Sequence, residues 1–132
     1  MTTLLAACCS LATLAMAKPA ASDLTIHNNT DFASTSKSNH GGCSYKLAHG
    51  ITEPHTTNTV DKTTVGLACM ASPTDCVTDI YITRDCSGPI IATITFDTQT
   101  GIKGTPTSND PRFNFTVDPN NRFAITIDQI SK

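Results

Sequence analysis

The fold class is decided by residues 112–128, which read Arg112-Phe-Asn-Phe-Thr-Val-Asp-Pro-Asn-Asn-Arg-Phe-Ala-Ile-Thr-Ile-Asp128. Apolar residues occupy every second position of two runs: Phe113, Phe115 and Val117 in the first, Phe123, Ile125 and Ile127 in the second. A period of two is typical of a strand with one buried face. Between the runs stands Asp-Pro-Asn-Asn, whose residue types favour a turn. The stretch therefore predicts a β-hairpin.

The same pattern recurs along the rest of the chain. Further strands are predicted near Leu24 and Ile26, over 63–69, 76–83 and 90–97, and more weakly near Ile102. About seven short strands separated by turn signals predict an all-β fold, either an antiparallel β-sandwich or a small barrel. Two segments, 29–42 and 50–64, lack a clear pattern. They are interpreted as functional loops, as loops that wrap the surface, or as poorly patterned edge strands.

The N-terminus has a different composition from the rest of the 132-residue chain. Residues 4–17 carry no charge and end in Ala15-Met16-Ala17, an A-x-A cleavage pattern. We therefore expect a secretory signal peptide over 1–17 and a single β domain over 18–132. Two alternatives remain: a lipidated Cys8 after Leu5-Ala6-Ala7, or a buried helix of a cytosolic domain.

Charge and hydropathy narrow the classes of partner. Nine Lys and Arg stand against eleven Asp and Glu, so the net charge is −2 and nucleic-acid binding is not expected. No apolar stretch is long enough to predict a transmembrane segment.

Four cysteines remain after the predicted leader, namely Cys43, Cys69, Cys76 and Cys86. An even number in an exported domain favours two disulfides, and the spacings do not match the close CxxC pairs of zinc sites. If 63–69 and 76–83 form a hairpin, Cys69 and Cys76 face each other. An extended strand would carry Cys86 about 30 Å from Cys76, whereas disulfide Cα atoms lie within roughly 7 Å. The predicted disulfides are therefore Cys69–Cys76 and Cys43–Cys86.

A search for catalytic chemistry yields one constellation, His49, Glu53 and His55. Two imidazoles and a carboxylate could form an open metal site or serve a hydrolase. Pro54 interrupts the segment, and solvated loop histidines are the simpler interpretation. There is no G-x-S-x-G or phosphate-loop motif, and a cysteine in a disulfide cannot act as a nucleophile. No catalytic residue and no cofactor are therefore assigned.

Four stretches carry a family resemblance: residues 23–30, 42–44, 50–55 and 86–93, the last leading into Phe96-Asp97. Over residues 23–102 the chain resembles small secreted four-cysteine proteins of intracellular Gram-negative bacteria. The resemblance implies export and the four-cysteine pattern, and it implies no activity.

These observations predict a secreted or periplasmic protein that binds rather than catalyses. Its partner would be a protein or a component of the envelope or host surface. The alternatives are a small secreted hydrolase that uses loop residues, and a structural envelope component or inhibitor. Edge strands could pair between chains, so both a monomer and a dimer are considered.

Overall fold

The computed structural model describes residues 17–130, and β-strands dominate this part of the chain. The strands are β1 Leu24–Asn29, β2 Thr35–Ser38, β3 Thr56–Val60, β4 Cys76–Tyr81, β5 Ala92–Asp97, β6 Gly101–Ser108, β7 Phe113–Asp118 and β8 Asn121–Gln129. Helix α1 spans Lys62–Ala68, and a 3-10 turn spans Ser44–Lys46. The expected signal peptide lies outside the described residues, apart from Ala17.

Two four-stranded sheets form a sandwich. One sheet has the order β3-β1-β8-β7, and the other has the order β2-β4-β5-β6. In the described part of the chain, no strand of one sheet pairs with a strand of the other, so the sandwich alternative is confirmed and the barrel is not. One pair departs from the antiparallel expectation, because β1 runs parallel to β8. Alternation reports which face of a strand is buried but not its direction, so the sequence could not show this.

Residues 112–128 contain the predicted hairpin. β7 and β8 are antiparallel, with Phe115 opposite Ile127. Phe113, Phe115 and the apolar positions of β8 are buried, while Asn114 and Thr116 are exposed. Burial of this alternating face is the main local reason for the strand assignment. β5 repeats the pattern, with Ala92, Ile94 and Phe96 buried.

The expected strand over 63–69 is wrong, because residues 63–68 lie in helix α1 and Cys69 is its C-cap. Asp61 is the N-cap, and its carboxylate accepts a hydrogen bond from the backbone N–H of Thr63 at 2.9 Å. Val65 and Cys69, four residues apart, are both buried against the core. A seven-residue helix shows too little periodicity to outweigh the strand preference of Thr and Val.

The two unpatterned segments each contain an edge strand, which was one of the interpretations left open. β2 lies within 29–42 and β3 lies within 50–64. Edge strands contribute less to the core, so their sequences alternate less clearly. The structure therefore has eight strands in its described residues rather than seven, with one predicted strand lost and two gained.

Two disulfides cross-link the fold, as the even cysteine count predicts. They join Cys43 to Cys86 and Cys69 to Cys76, the pairs named from the sequence. The reasoning for the second pair needs correction, because Cys69 ends a helix and does not face Cys76 across a hairpin. Cys76 is the first residue of β4, so this disulfide fastens α1 to the second sheet.

The sandwich is closed along one side and open along the other. At the closed side β6 packs against β7 and β8, and the rings of Phe96 and Phe123 meet edge-to-face at 5.6 Å. Arg122 of β8 donates a hydrogen bond to the carbonyl of Ile102 in β6 at 2.9 Å. At the open side lie the edge strands β3 and β2, which are bridged by a loop rather than by packed strands.

Candidate functional site

A cavity of about 400 Å³ lies between the two sheets. Its walls are apolar side chains, chiefly Leu24, Ile26 and Ile127 from one sheet and Ile80, Ile94 and Phe96 from the other. Val65 and Ala68 of α1 also line it. This volume and apolar character are in the range of small-molecule binding sites.

The cavity exists because short side chains face inward near the open edge of the second sheet. Ser36 and Ser38 of β2 line the cavity, as does Thr78 of β4. Ser38 lies opposite Thr78 in the β2–β4 pairing, and their hydroxyl oxygens are 3.0 Å apart. Hydroxyl side chains of this length do not reach the opposite sheet, so the space between the sheets is left unfilled.

Residues 41–50, here called the mouth loop, form the opening of the cavity. Lys46, Leu47 and His49 line the cavity and are also exposed to solvent. A residue that does both must lie at the boundary between cavity and solvent. The cavity therefore opens through the mouth loop.

The mouth loop is anchored to both edge strands of the open side. The Ser44 hydroxyl accepts a hydrogen bond from the backbone N–H of Ser36 in β2 at 2.9 Å and donates one to the carbonyl of Gly50 at 2.6 Å. Asn58 of β3 donates a hydrogen bond to the carbonyl of His49 at 2.7 Å. The start of the loop is thus held to the second sheet through Ser44, and its end is held to the first sheet through His49.

The loop is also covalently anchored and tightly closed. The Cys43–Cys86 disulfide ties it to the segment that follows β4. A Cβ atom at Gly50 would lie 1.6 Å from the carbonyl oxygen of Ser44, a distance that no side chain can tolerate. Glycine at position 50 is therefore what allows the loop to close.

A buried polar cluster supports the chain that follows the mouth loop. The Asn28 side chain is fully buried, and its amide donates to the carbonyls of Phe32, Thr52 and Glu53 at 2.8 to 3.2 Å. Its amide oxygen accepts hydrogen bonds from the backbone and the hydroxyl of Thr30. Asn28 therefore fixes two backbone segments, residues 30–32 and residues 52–53, at one point. Sequence reasoning gave Asn28 no role of its own.

The three candidate residues His49, Glu53 and His55 are not brought together as a site. Glu53 forms a two-point ion pair with Arg84, in which Nη2 and Oε2 are 2.9 Å apart. His55 Nε2 lies 2.7 Å from Asp31 Oδ1. Within residues 17–130 no group of three His, Cys, Asp or Glu side chains is placed to hold a metal ion.

Backbone geometry gives these histidines a structural role. His40, His49 and His55 have φ values of 58°, 57° and 55°, in the left-handed region. Histidine is among the residue types that adopt this region more readily than most. The loop histidines therefore lie at tight turns.

The Arg84 guanidinium, hydrogen-bonded to Glu53, lowers the pKa of that carboxyl.

The cavity opening carries a basic side chain, Lys46. Lys46 lies over the ring of Tyr45, with Nζ 5.9 Å from the ring centroid, and His49 lies on the same loop. Among the described residues that line the cavity, none is acidic. Sequence reasoning missed this site, although it singled out His49 and the adjoining unpatterned segments.

The fold and the covalent anchoring define a disulfide-linked β-sandwich with an apolar cavity. A family model described as "T2SS substrate NttC" matches residues 1–129. The chain belongs to this family of type II secretion system substrates. It is therefore secreted by way of the periplasm, and the expected localisation is confirmed.

A solved structure supports the fold assignment. The crystal structure of the Legionella pneumophila type II secretion system substrate NttC is 24% identical in sequence, with a TM-score of 0.65. The match covers 82% of this chain and 97% of that chain. At this identity the likeness concerns the fold alone. None of the curated proteins matches the chain.

The described residues include no helix that is both long enough and apolar enough to span a membrane.

Proposed function

We propose that the protein is a secreted, non-catalytic binding protein that takes an apolar small molecule into the cavity between its sheets. The observation that carries the proposal is the apolar cavity of about 400 Å³ beneath the mouth loop. The ligand would come from the envelope or host surfaces that a secreted protein meets.

The free-energy cost of an empty cavity supports the presence of a bound ligand. Residual cavities cost about 24 cal/mol per Å³, so a sealed void of this volume would cost about 10 kcal/mol, comparable with the whole stability of a domain. Water entering through the mouth loop lowers that cost, but it gains few partners on walls such as Ile94 and Ile127. An apolar ligand would restore the missing contacts.

The anchoring of the mouth loop also supports binding. Hydrogen bonds reach it from both edge strands, and a disulfide joins it to a third segment. A preformed opening lowers the ordering cost of binding. A hydrolase would need convergent catalytic groups, whereas Glu53 and His55 are engaged with Arg84 and Asp31.

Membership in a secreted family supports the expected chain organisation as well. Residues 1–17 act as the signal peptide in this proposal, and residues 18–132 form the single secreted domain. N-terminal sequencing of the protein from culture medium should give Lys18 as the first residue. A start at any other position would contradict this boundary.

The binding proposal is tested with a fluorescent apolar dye and the protein purified from culture medium. Ala68 lines the cavity, while its neighbour Leu67 is exposed and does not. The wild type and Leu67→Phe should bind one dye molecule, and Ala68→Phe should lose this binding because its ring occupies the cavity. Circular dichroism checks that both variants fold.

Two results would contradict the proposal. One is dye binding that Ala68→Phe leaves unchanged, which would place the dye elsewhere. The other is turnover in a panel of ester, peptide and glycoside substrates, which would favour the hydrolase alternative.

A further inference from the structure

The cavity combines an apolar interior with a rim that carries basic and no acidic side chains among the described residues. Lys46 and His49 lie at the opening, and the described residues that line the cavity include no Asp or Glu. Lys46 takes part in none of the four ion pairs found among the described residues. Its ammonium group lies over the Tyr45 ring, and no carboxylate in the described residues competes with an incoming anion for it.

The interior has room for one hydrocarbon chain. An apolar protein cavity of about 150 Å³ holds a benzene molecule, so about 400 Å³ has room for roughly 12 to 16 carbon atoms. The walls formed by Ile80, Ile94 and Ile127 offer branched aliphatic contacts and no charge. Ser36, Ser38 and Ser44 add hydroxyl groups to the lining from β2 and the mouth loop.

We propose that the ligand is a single-chain anionic amphiphile, with its acyl chain between the two sheets and its head group at Lys46 and His49. This inference rests on the proposed binding function and adds the ligand class. The ammonium group of Lys46 and a ring N–H of His49 can both donate hydrogen bonds to an anionic oxygen. A cationic head group would instead meet like charge at the rim.

The test uses three probes with the same twelve-carbon chain: dodecanoate, dodecan-1-ol and dodecyltrimethylammonium. Each displaces the apolar dye from the secreted protein at low ionic strength. Dodecanoate should bind at least about threefold more tightly than the alcohol, and the cation should bind most weakly. Affinity should rise about fourfold for each methylene added between octanoate and dodecanoate.

Charge variants locate the head group. Lys46→Glu should weaken dodecanoate binding about tenfold but weaken dodecan-1-ol binding by less than about twofold, since the alcohol carries no charge. Lys62→Glu is the matched control, because Lys62 is exposed at the start of α1 and does not line the cavity. This control changes the net charge equally and should leave binding unchanged.

The outcomes separate the two proposals. Equal affinity for the three probes, with all binding lost in Ala68→Phe, would overturn the anionic preference and leave the binding function intact. No binding of any probe by the folded wild type would overturn both. A fourth probe, 1-lauroyl lysophosphatidylglycerol, tests whether the ligand is a membrane lipid. If it binds more tightly than dodecanoate and Lys46→Glu weakens its binding, the inference is supported with a membrane lipid as the ligand.

Discussion

The Cys43–Cys86 disulfide holds two Cα atoms 5.9 Å apart although 43 positions separate them in the chain. Cys43 lies in the mouth loop, and Cys86 lies between β4 and β5. The bridge therefore fastens the opening of the cavity to the second sheet. Its effect on stability and on binding can be measured separately.

Replacing both Cys43 and Cys86 by Ser should cost about 4 kcal/mol of unfolding free energy, from the entropy of closing a loop of this length. Replacing both Cys69 and Cys76 by Ser should cost only about 2.5 kcal/mol, because that disulfide closes a shorter loop. Urea unfolding of the two double variants measures the difference. A larger loss for the Cys69–Cys76 variant would show that the Cys43–Cys86 disulfide does not act mainly by restricting the unfolded chain.

Gly50→Ala should destabilise the mouth loop, because the added Cβ would lie 1.6 Å from the Ser44 carbonyl oxygen and the backbone must move. We expect a loss of about 1–3 kcal/mol and weaker dye binding. Gly42→Ala is the matched control, since its Cβ would meet nothing within 4 Å. The melting temperature should fall for position 50 alone, and equal losses at both positions would contradict this account.

Asn28→Asp should destabilise the fold by about 2–4 kcal/mol, although the two side chains have nearly the same shape. The new carboxylate would face the carbonyl oxygens of Phe32, Thr52 and Glu53 without a proton to donate. Asn120→Asp, at an exposed turn, makes the same chemical change and should alter stability by less than about 0.5 kcal/mol. Comparable losses in the two variants, measured by urea unfolding, would rule out a special role for the Asn28 cluster.

The Glu53–Arg84 ion pair should make a pH-dependent contribution to stability. Arg84 lowers the pKa of Glu53 from its ordinary value of 4.5, so the folded protein binds this proton less readily than the unfolded chain. The contribution is present above pH 4.5 and is lost as the pH falls through the lowered pKa. Wild type should therefore melt above Glu53→Gln at pH 7, and the gap should close in acid. A gap that is independent of pH would contradict the ion pair as its cause.

Local pattern was sufficient for part of the fold. The hairpin of β7 and β8 and the strand β5 follow from strict alternation, which depends only on neighbouring residues and one buried face. Helix α1 was not predicted, because its short apolar face is decided by contacts of Val65 and Cys69 with the core. β2 and β3 were ambiguous because they lie at sheet edges, where polar residues are tolerated.

The candidate site was harder to predict for a physical reason. His49 and Glu53 are close in sequence, yet Glu53 turns toward Arg84, 31 positions away, and His49 contributes to the cavity opening. Proximity in sequence therefore suggested a cluster that the loop geometry separates. Ser36 and Ser38 carried no functional signal, because a serine on an edge strand has no distinctive chemistry.

The sequence by itself determined the strand-rich class, the cysteine count and the expectation of export, since each is encoded in composition or in short-range pattern. Tertiary structure alone decided the parallel pairing of β1 with β8, the buried contacts of Asn28 and the cavity under the mouth loop. A cavity is the volume that side chains of two sheets leave between them. That volume depends on how the sheets are spaced and joined, which no local stretch of sequence specifies.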